Sequence, residues 1–151
     1  MRRHVVLLWV TIVTIAGCPD DGAAAGDAES DAAREVPFVR VGSTVDAGDD
    51  VDSPCGGVGS PDVEIAWAAP VASSYVISTK GSGFDTVVSV FAGGELLACN
   101  DDADLTVAGR SEVVLTLEAD AAVLVVVDGV LRHAGDYTLA ITDLGADARN
   151  R

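Results

Sequence analysis

The sequence predicts an all-β protein, a single jelly-roll-like β-sandwich of about eight strands. From residue 36 onward, apolar residues recur at every second position in several short runs, and turn-forming residues separate these runs at regular intervals. No segment after residue 36 has a helical period. Two packed sheets would bury the alternating apolar faces and leave the polar faces in water. These observations favour a sandwich of jelly-roll type.

The first half of the domain supplies five expected strands, which are residues 36–41, 62–67, 75–79, 85–91 and 95–99. In the second of them, Val63, Ile65 and Trp67 share one face. The pair Gly93-Gly94 separates the last two. It predicts a two-residue hairpin turn, because glycine accepts the positive φ angles that such turns need.

The second half supplies three more expected strands, which are residues 111–117, 122–127 and 135–141. In the first of them, the apolar residues at positions 113, 115 and 117 share one face. The middle run is almost wholly apolar, which is typical of a central buried strand, and Asp128-Gly129 is expected to end it. In the last, Tyr137, Leu139 and Ile141 face together.

An immunoglobulin-like sandwich is the alternative fold. Its mark would be a disulfide across the two sheets beside a buried tryptophan. Cys55, Trp67 and Cys99 have the right order for this, but Cys55 lies in the sequence Ser-Pro-Cys-Gly-Gly, which predicts a loop and not a strand.

The N-terminus has the layout of a secretory signal, with basic residues, then the apolar run 5–16, then small residues before Cys18. That run has 12 residues and ends before Pro19, whereas a membrane-spanning helix needs about twenty. A cysteine directly after Ala-Gly resembles the lipobox of bacterial lipoproteins. The resemblance implies cleavage before Cys18 and a diacylglyceryl group on its sulfur. A plain cleaved signal and a retained anchor are the alternatives.

The chain therefore divides into four expected parts, which are a signal peptide (1–17), a lipidated flexible acidic linker (18–35), a β-sandwich domain (36–144) and a disordered tail (145–151). The linker has no large apolar residue, so it cannot bury enough surface to offset its ordering entropy. A flexible linker of this length reaches roughly 20–24 Å. Its expected role is to hold the domain off the membrane.

Charge and cysteines restrict the partners and the compartment. The formal net charge is −15, which argues against nucleic acid as a partner. With Cys18 assigned to lipid, Cys55 and Cys99 are left as a pair in an exported chain, where disulfides persist. Free thiols and a metal pair are the alternatives. The chain has no CxxC motif to support zinc.

A set of short motifs in a fixed order resembles the bacterial pre-peptidase C-terminal domain family. The motifs are SPCGG at 53–57, SPDV at 60–63, AP at 69–70, SGFDTV at 82–87, ACNDD at 98–102, VVVDG at 125–129 and GDYTL at 135–139. The likeness extends from about residue 41 to residue 143. It implies a non-catalytic β-sandwich of the kind found beside secreted peptidases or in surface proteins. These 151 residues include no peptidase domain, which counts against a protease-linked role.

An acidic cluster is the candidate metal site. Asp101, Asp102 and Asp104 follow Cys99 and would face Asp85 or Asp62 if the disulfide draws their loops together. Calcium takes six to eight oxygen ligands, several of them carboxylates. The alternative is that these residues end a strand and cap turns through bonds to the backbone.

No catalytic residues are expected. His133, the one histidine beyond the signal, lies in a predicted loop, and Ser82 lacks the strand-turn-helix setting of a nucleophile elbow. Trp67 and Tyr137 would suit sugar stacking, but both lie on predicted core faces. Asp62, at a strand start, is expected to bond backbone amides.

The expected function is that of a cell-envelope lipoprotein, anchored to a bacterial membrane with its domain outside the cytoplasm, that displays a sandwich for surface binding or adhesion. Its ligand would be a protein or a glycan, and calcium is the one cofactor that the sequence suggests. The alternatives are a calcium-stabilised carbohydrate-binding module and an accessory partner of a secreted peptidase.

Overall fold

The computed structural model describes residues 35–102 and 110–145. The predicted signal peptide, Cys18, almost all of the linker, Asp104 and all but the first residue of the predicted tail lie outside the described residues. In the part that is described, no helix is long and apolar enough to cross a membrane.

Eight strands form two four-stranded antiparallel sheets. The strands are β1 (Phe38–Ser43), β2 (Val63–Ala68), β3 (Ser73–Ser78), β4 (Thr86–Ala92), β5 (Glu95–Asn100), β6 (Glu112–Leu117), β7 (Ala122–Gly129) and β8 (Asp136–Asp143). Sheet 1 has the order β1-β8-β3-β6, and sheet 2 has the order β2-β7-β4-β5. This order is that of a jelly roll, so the predicted fold class is confirmed.

The strand boundaries differ from the prediction at a few places with clear physical reasons. β1 begins at Phe38 and not at residue 36, because Pro37 has no amide proton to give to the strand ladder. β7 continues through Asp128 and Gly129, which the sequence predicted as its end. A single 3-10 turn at Val130–Arg132 then leads towards β8.

The core lies between the sheets and consists of the predicted apolar faces. Trp67 is 2% exposed and Tyr137 is 5% exposed, which confirms that both are core residues and not a surface platform. The Trp67 and Tyr75 rings meet edge to face with centroids 5.0 Å apart. The other large, fully buried apolar side chains include Ile77, Leu139, Ile141, Val88, Val90, Val125 and Val127.

The turn between β4 and β5 is the predicted two-residue hairpin. Gly93 and Gly94 have φ angles of 57° and 85°, which suit a type I′ turn and which other residues rarely adopt. Ala92 and Glu95 are the last paired residues on either side of it.

The sandwich has two distinct poles. The hairpin pole carries the Gly93-Gly94 turn and the β2–β3 connection, and Phe38 begins β1 and Asp143 ends β8 at this same pole. The loop pole, at the other end, carries the long connections 44–62, 79–85 and 130–135.

Candidate functional site

A long connection from the loop pole covers the outer face of sheet 2, and a disulfide holds it there. Cys55 in this connection is bonded to Cys99 on β5, and their Cα atoms are 6.0 Å apart. The outward direction of Cys99 follows from strand alternation, because its neighbour Ala98 packs against the core. The predicted disulfide is therefore present, and neither free thiols nor a metal pair applies to these cysteines.

Polar contacts fix the rest of this covering segment, residues 48–60. Oδ2 of Asp62 accepts hydrogen bonds from the backbone amides of Asp50 at 2.7 Å and Val51 at 2.9 Å. The Asp62 amide donates to the Gly48 carbonyl at 2.8 Å. On β4, the Ser89 hydroxyl donates to the Ser53 hydroxyl at 3.0 Å. Asp62 thus bonds backbone amides as the sequence predicted.

Beneath this segment lie two buried carboxyl groups, Asp62 and Asp128. Val63 on β2 pairs with Val127 on β7. If the same register is continued by one residue, Asp62 lies opposite Asp128. Opposed residues in antiparallel strands have Cβ atoms about 4.5–5.5 Å apart. Asp62 is 4% exposed and Asp128 is 0% exposed. Each has one oxygen, Oδ1 of Asp62 and Oδ2 of Asp128, with no hydrogen-bond partner.

Burial raises the pKa of Asp128 from 3.8 to about 6, because the charged form loses its water. The Gly129 amide, which donates to Oδ1 at 2.6 Å, and the hydroxyl and amide of Ser53 oppose this effect, whereas the negative charge of Asp62 adds to it. Gly57 lies so close that a Cβ there would overlap Oδ2 of Asp128. The carboxyl is therefore sealed under the loop and has no open side for a ligand.

The predicted calcium ligands occupy the same pole but differ in setting. Asp101 is half-buried, and its carbonyl accepts a hydrogen bond from the Ser111 hydroxyl at 3.0 Å. Asp102 is exposed, and its carbonyl accepts one from Nδ2 of Asn100 at 3.3 Å. Asp85 is half-buried with an unpartnered Oδ1.

No group of three or more His, Cys, Asp or Glu side chains within residues 35–102 and 110–145 is arranged to hold a metal ion. Because Asp104 lies outside those residues, the four-aspartate calcium site stays a prediction. The Asn100 side chain, which also accepts a hydrogen bond from the Glu112 amide at 3.2 Å, has the strand-capping role of the alternative interpretation.

Sequence reasoning missed an apolar groove of about 410 Å³ on the outer face of sheet 2, towards the hairpin pole. Ala66 pairs with Leu124 and Leu124 pairs with Phe91, so these three form a row across β2, β7 and β4. The residues that line the apolar groove are Val51, Ala66, Phe91, Gly93, Gly94, Ala122, Val123 and Leu124. The sequence does hold one signal for this groove. Residues 123 and 125 face the core, so strand alternation puts the apolar residue 124 on the outer face.

A second, more polar groove of about 610 Å³ lies where β1 meets β8. Gly42, Gly81 and Gly83 line it together with Tyr137. The Tyr137 ring packs so closely under Gly42 that a Cβ there would lie 2.8 Å from the ring. The three glycines add no side chains to the walls of this groove.

Among the residues that the structure describes, the one histidine that could serve acid–base chemistry is isolated. His133 is exposed on the segment after the 3-10 turn, and its ring forms no hydrogen bond to any residue that the structure describes. Ser82 is half-buried, and its hydroxyl donates to the Thr79 carbonyl at 2.7 Å, a turn-closing bond.

Comparison with known proteins gives similarity in fold only. No protein-family model and no curated protein matches the chain. One similar solved structure is the pre-peptidase C-terminal domain of a collagenase from Bacillus anthracis, with 13% identity and a TM-score of 0.48 over 70% of this chain and 89% of that one. Another is PliG, a periplasmic inhibitor of g-type lysozyme from Aeromonas hydrophila, with 17% identity and a TM-score of 0.43 over 73% of this chain and 86% of that one. At these values they indicate no shared family or activity, and the jelly-roll assignment comes from the strand order.

Proposed function

We propose that this chain is a non-catalytic binding module of a bacterial cell envelope, anchored by lipid on Cys18 and displayed outside the cytoplasm on a flexible linker. The observation that carries the proposal is the Cys55–Cys99 disulfide. Disulfides of this structural kind persist in oxidising compartments and are rare in the cytosol. The bond holds the covering segment on sheet 2, and an oxidising compartment outside the cytoplasm would preserve it.

The N-terminal sequence supplies the attachment. One acyl chain holds a protein only marginally to a membrane, at about 0.8 kcal/mol per buried methylene, so stable attachment needs two or more chains. The diacylglyceryl group and N-acyl group that a lipobox cysteine receives would satisfy this need. The chain has 24 acidic and 9 basic residues, and cleavage before Cys18 would remove two of the basic ones, so the protein surface itself would be repelled by anionic headgroups. The lipid on Cys18 is therefore the means of attachment.

Binding and not catalysis is the role that the described residues support. The exposed, unpartnered His133 has no orienting group, and the most buried acid, Asp128, is closed off by Gly57. What the surface offers instead is a pair of grooves on a rigid sheet scaffold. Such concave, pre-formed surfaces are the usual form of ligand sites.

The anchor is tested by expressing the wild-type chain and a Cys18→Ala variant in a bacterial host fed labelled palmitate. The wild-type protein should incorporate label, partition into membranes and accumulate as an unprocessed precursor with globomycin. The Cys18→Ala variant should incorporate no label, and globomycin should not change its processing.

A Cys55→Ser/Cys99→Ser double variant is the matched control, because it removes two cysteines and should keep the palmitate label. Display is tested by adding protease to spheroplasts, which should digest the domain. Labelling that survives Cys18→Ala, or a domain protected until the cells are lysed, contradicts the proposal.

A further inference from the structure

We propose that the apolar groove on sheet 2 binds a basic segment of a partner protein, with one bulky apolar side chain in the groove and lysines or arginines on either side of it. The inference rests on the proposed function and deepens it, since it names the class of ligand that the displayed module takes.

The floor of the groove selects a bulky apolar side chain. Ala66 and Ala122 are exposed, and Leu124 and Phe91 are only half-buried, so the row across the sheet presents apolar surface to water. Leu96 pairs with Phe91 and extends the row to β5, with 42% of its surface exposed. The groove volume of about 410 Å³ lies in the lower part of the range of about 300–1,000 Å³ for concave ligand sites. The small side chains of Ala66 and Ala122 leave room in the groove for one compact apolar group.

The rim of the groove selects positive charge. Glu64 is exposed and stands two positions from Ala66, on the same face of β2. Asp50 is exposed beside Val51, which lines the groove. Two carboxylates therefore lie beside an apolar floor.

The described cations lie elsewhere. Arg40 is on β1 of sheet 1, and Lys80, Arg110 and Arg132 lie in or beside connections at the loop pole. None of these four residues neutralises the rim acids, so the potential over the groove is negative. Complementary potentials speed encounter and suppress wrong partners.

The apolar floor and the negative charge of the rim also decide between a basic peptide and other possible ligands of the groove. A second copy of the chain also has 24 acidic residues, and its net negative charge would be repelled by the rim carboxylates. Anionic lipid headgroups and nucleic acid would meet the same repulsion. A basic segment with one apolar side chain satisfies the floor and the rim together.

The test uses the full chain, purified in mild detergent, and fluorescence anisotropy of a labelled nine-residue peptide with a central phenylalanine flanked by lysines in a Gly/Ser background. Empty micelles serve as the blank. Two control peptides replace the phenylalanine with serine or every lysine with glutamate. We expect saturable binding of the first peptide, at least about tenfold weaker binding of the serine peptide because the apolar burial is lost, and no binding of the glutamate peptide.

Protein variants locate the binding to the groove. Ala66→Trp should fill the floor and weaken binding about tenfold or more. Val114→Trp adds the same side chain to an exposed position of sheet 1 and should change nothing. Glu64→Gln with Asp50→Asn should weaken binding about two- to tenfold and reduce its salt dependence, whereas Glu112→Gln on sheet 1 should not.

Three results of the direct binding assays overturn the inference. They are the absence of binding, equal binding of the phenylalanine and serine peptides, and unchanged binding by Ala66→Trp. A free fatty acid that binds more tightly and displaces the peptide would assign the groove to lipid, and this result would also reject the peptide-binding inference. Because palmitate labelling is measured separately, failure of the peptide to bind leaves the anchored module standing, and failure of the anchor leaves the groove result standing.

Discussion

Replacement of Asp128 by asparagine should stabilise the protein at neutral pH and remove a pH dependence of its stability. In the folded protein, burial raises the pKa of Asp128 to about 6, whereas the ordinary value is 3.8. The folded state therefore binds this proton more tightly than the unfolded chain does. The difference between the two pKa values corresponds to about 3 kcal/mol.

The sign follows from which state holds the proton. Below about pH 4 both states are protonated, and the favourable contribution of the neutral, buried carboxyl is present in full. As the pH rises to 6, the unfolded chain loses its proton first, and stability declines. Above about pH 6 the folded protein carries a buried carboxylate next to Asp62 and is less stable by about 3 kcal/mol than at acid pH, from this group alone.

Asparagine has nearly the same shape and cannot ionise. We expect Asp128→Asn to match the wild-type stability at about pH 4 and to exceed it by up to about 3 kcal/mol at about pH 7.5. Asp143 changes stability in the opposite direction, because the Ser73 hydroxyl and the Gly145 amide lower its pKa. The stabilising contribution of Asp143 is lost on acidification in the wild type and in Asp128→Asn alike. The difference between their free energies of unfolding therefore reports on Asp128 alone.

The assay is urea unfolding followed by the fluorescence of buried Trp67, at several pH values between about 4 and 7.5. Asp102→Asn, which neutralises an exposed carboxyl, is the matched control and should shift stability little at any pH. A difference between Asp128→Asn and wild type that stays constant with pH would refute the reasoning. So would a variant less stable than wild type at neutral pH.

The remaining predictions concern the covering segment and the loop pole. Cys55→Ala with Cys99→Ala, or reduction of the wild type, should lower the free energy of unfolding by about 4 kcal/mol, since the bond closes a long loop in the unfolded chain, and unchanged urea midpoints would contradict this. Gly57→Ala should cost about 1–3 kcal/mol, because its Cβ would overlap the buried carboxyl, and an unchanged melting temperature would show that the segment moves freely. Ser111→Ala should cost about 1–3 kcal/mol, because it removes the hydroxyl that lies in donor range of the Thr86 and Asp101 carbonyls, which thermal unfolding against a Ser111→Thr control would measure. Calcium should raise the melting temperature of wild type but not of Asp102→Asn if the acidic cluster binds it, and an equal rise in both would remove Asp102 from the site.

The strands and their buried faces were predictable because the signal is local. Alternation over six or seven residues marks a half-buried strand whatever its neighbours are, so the faces of β2 and β8 were predicted correctly. The pairing of β1 with β8 joins residues about 100 positions apart, and no local pattern encodes it. Only the whole set of strands pointed to the jelly roll.

The sites were less predictable because they depend on what covers a strand. Asp128 before Gly129 has the pattern of a turn, but residues 53–57, more than 70 positions earlier, fold over it and bury it within the strand. The disulfide was predictable by counting cysteines in an exported chain. The groove was not, because it arises from the small size of Ala66 and Ala122 on two paired strands.

The pairing of β1 with β8 has a mechanical consequence. β1 is an edge strand, joined by hydrogen bonds only to β8, and the chain enters it at the hairpin pole. A pull on the amino-terminal segment along the strand axis, against a load at the loop pole, would stretch all six residue pairs of this ladder at once. The ladder would then fail as a unit under shear, and the domain would resist such tension better than a sandwich whose first strand is peeled off one bond at a time.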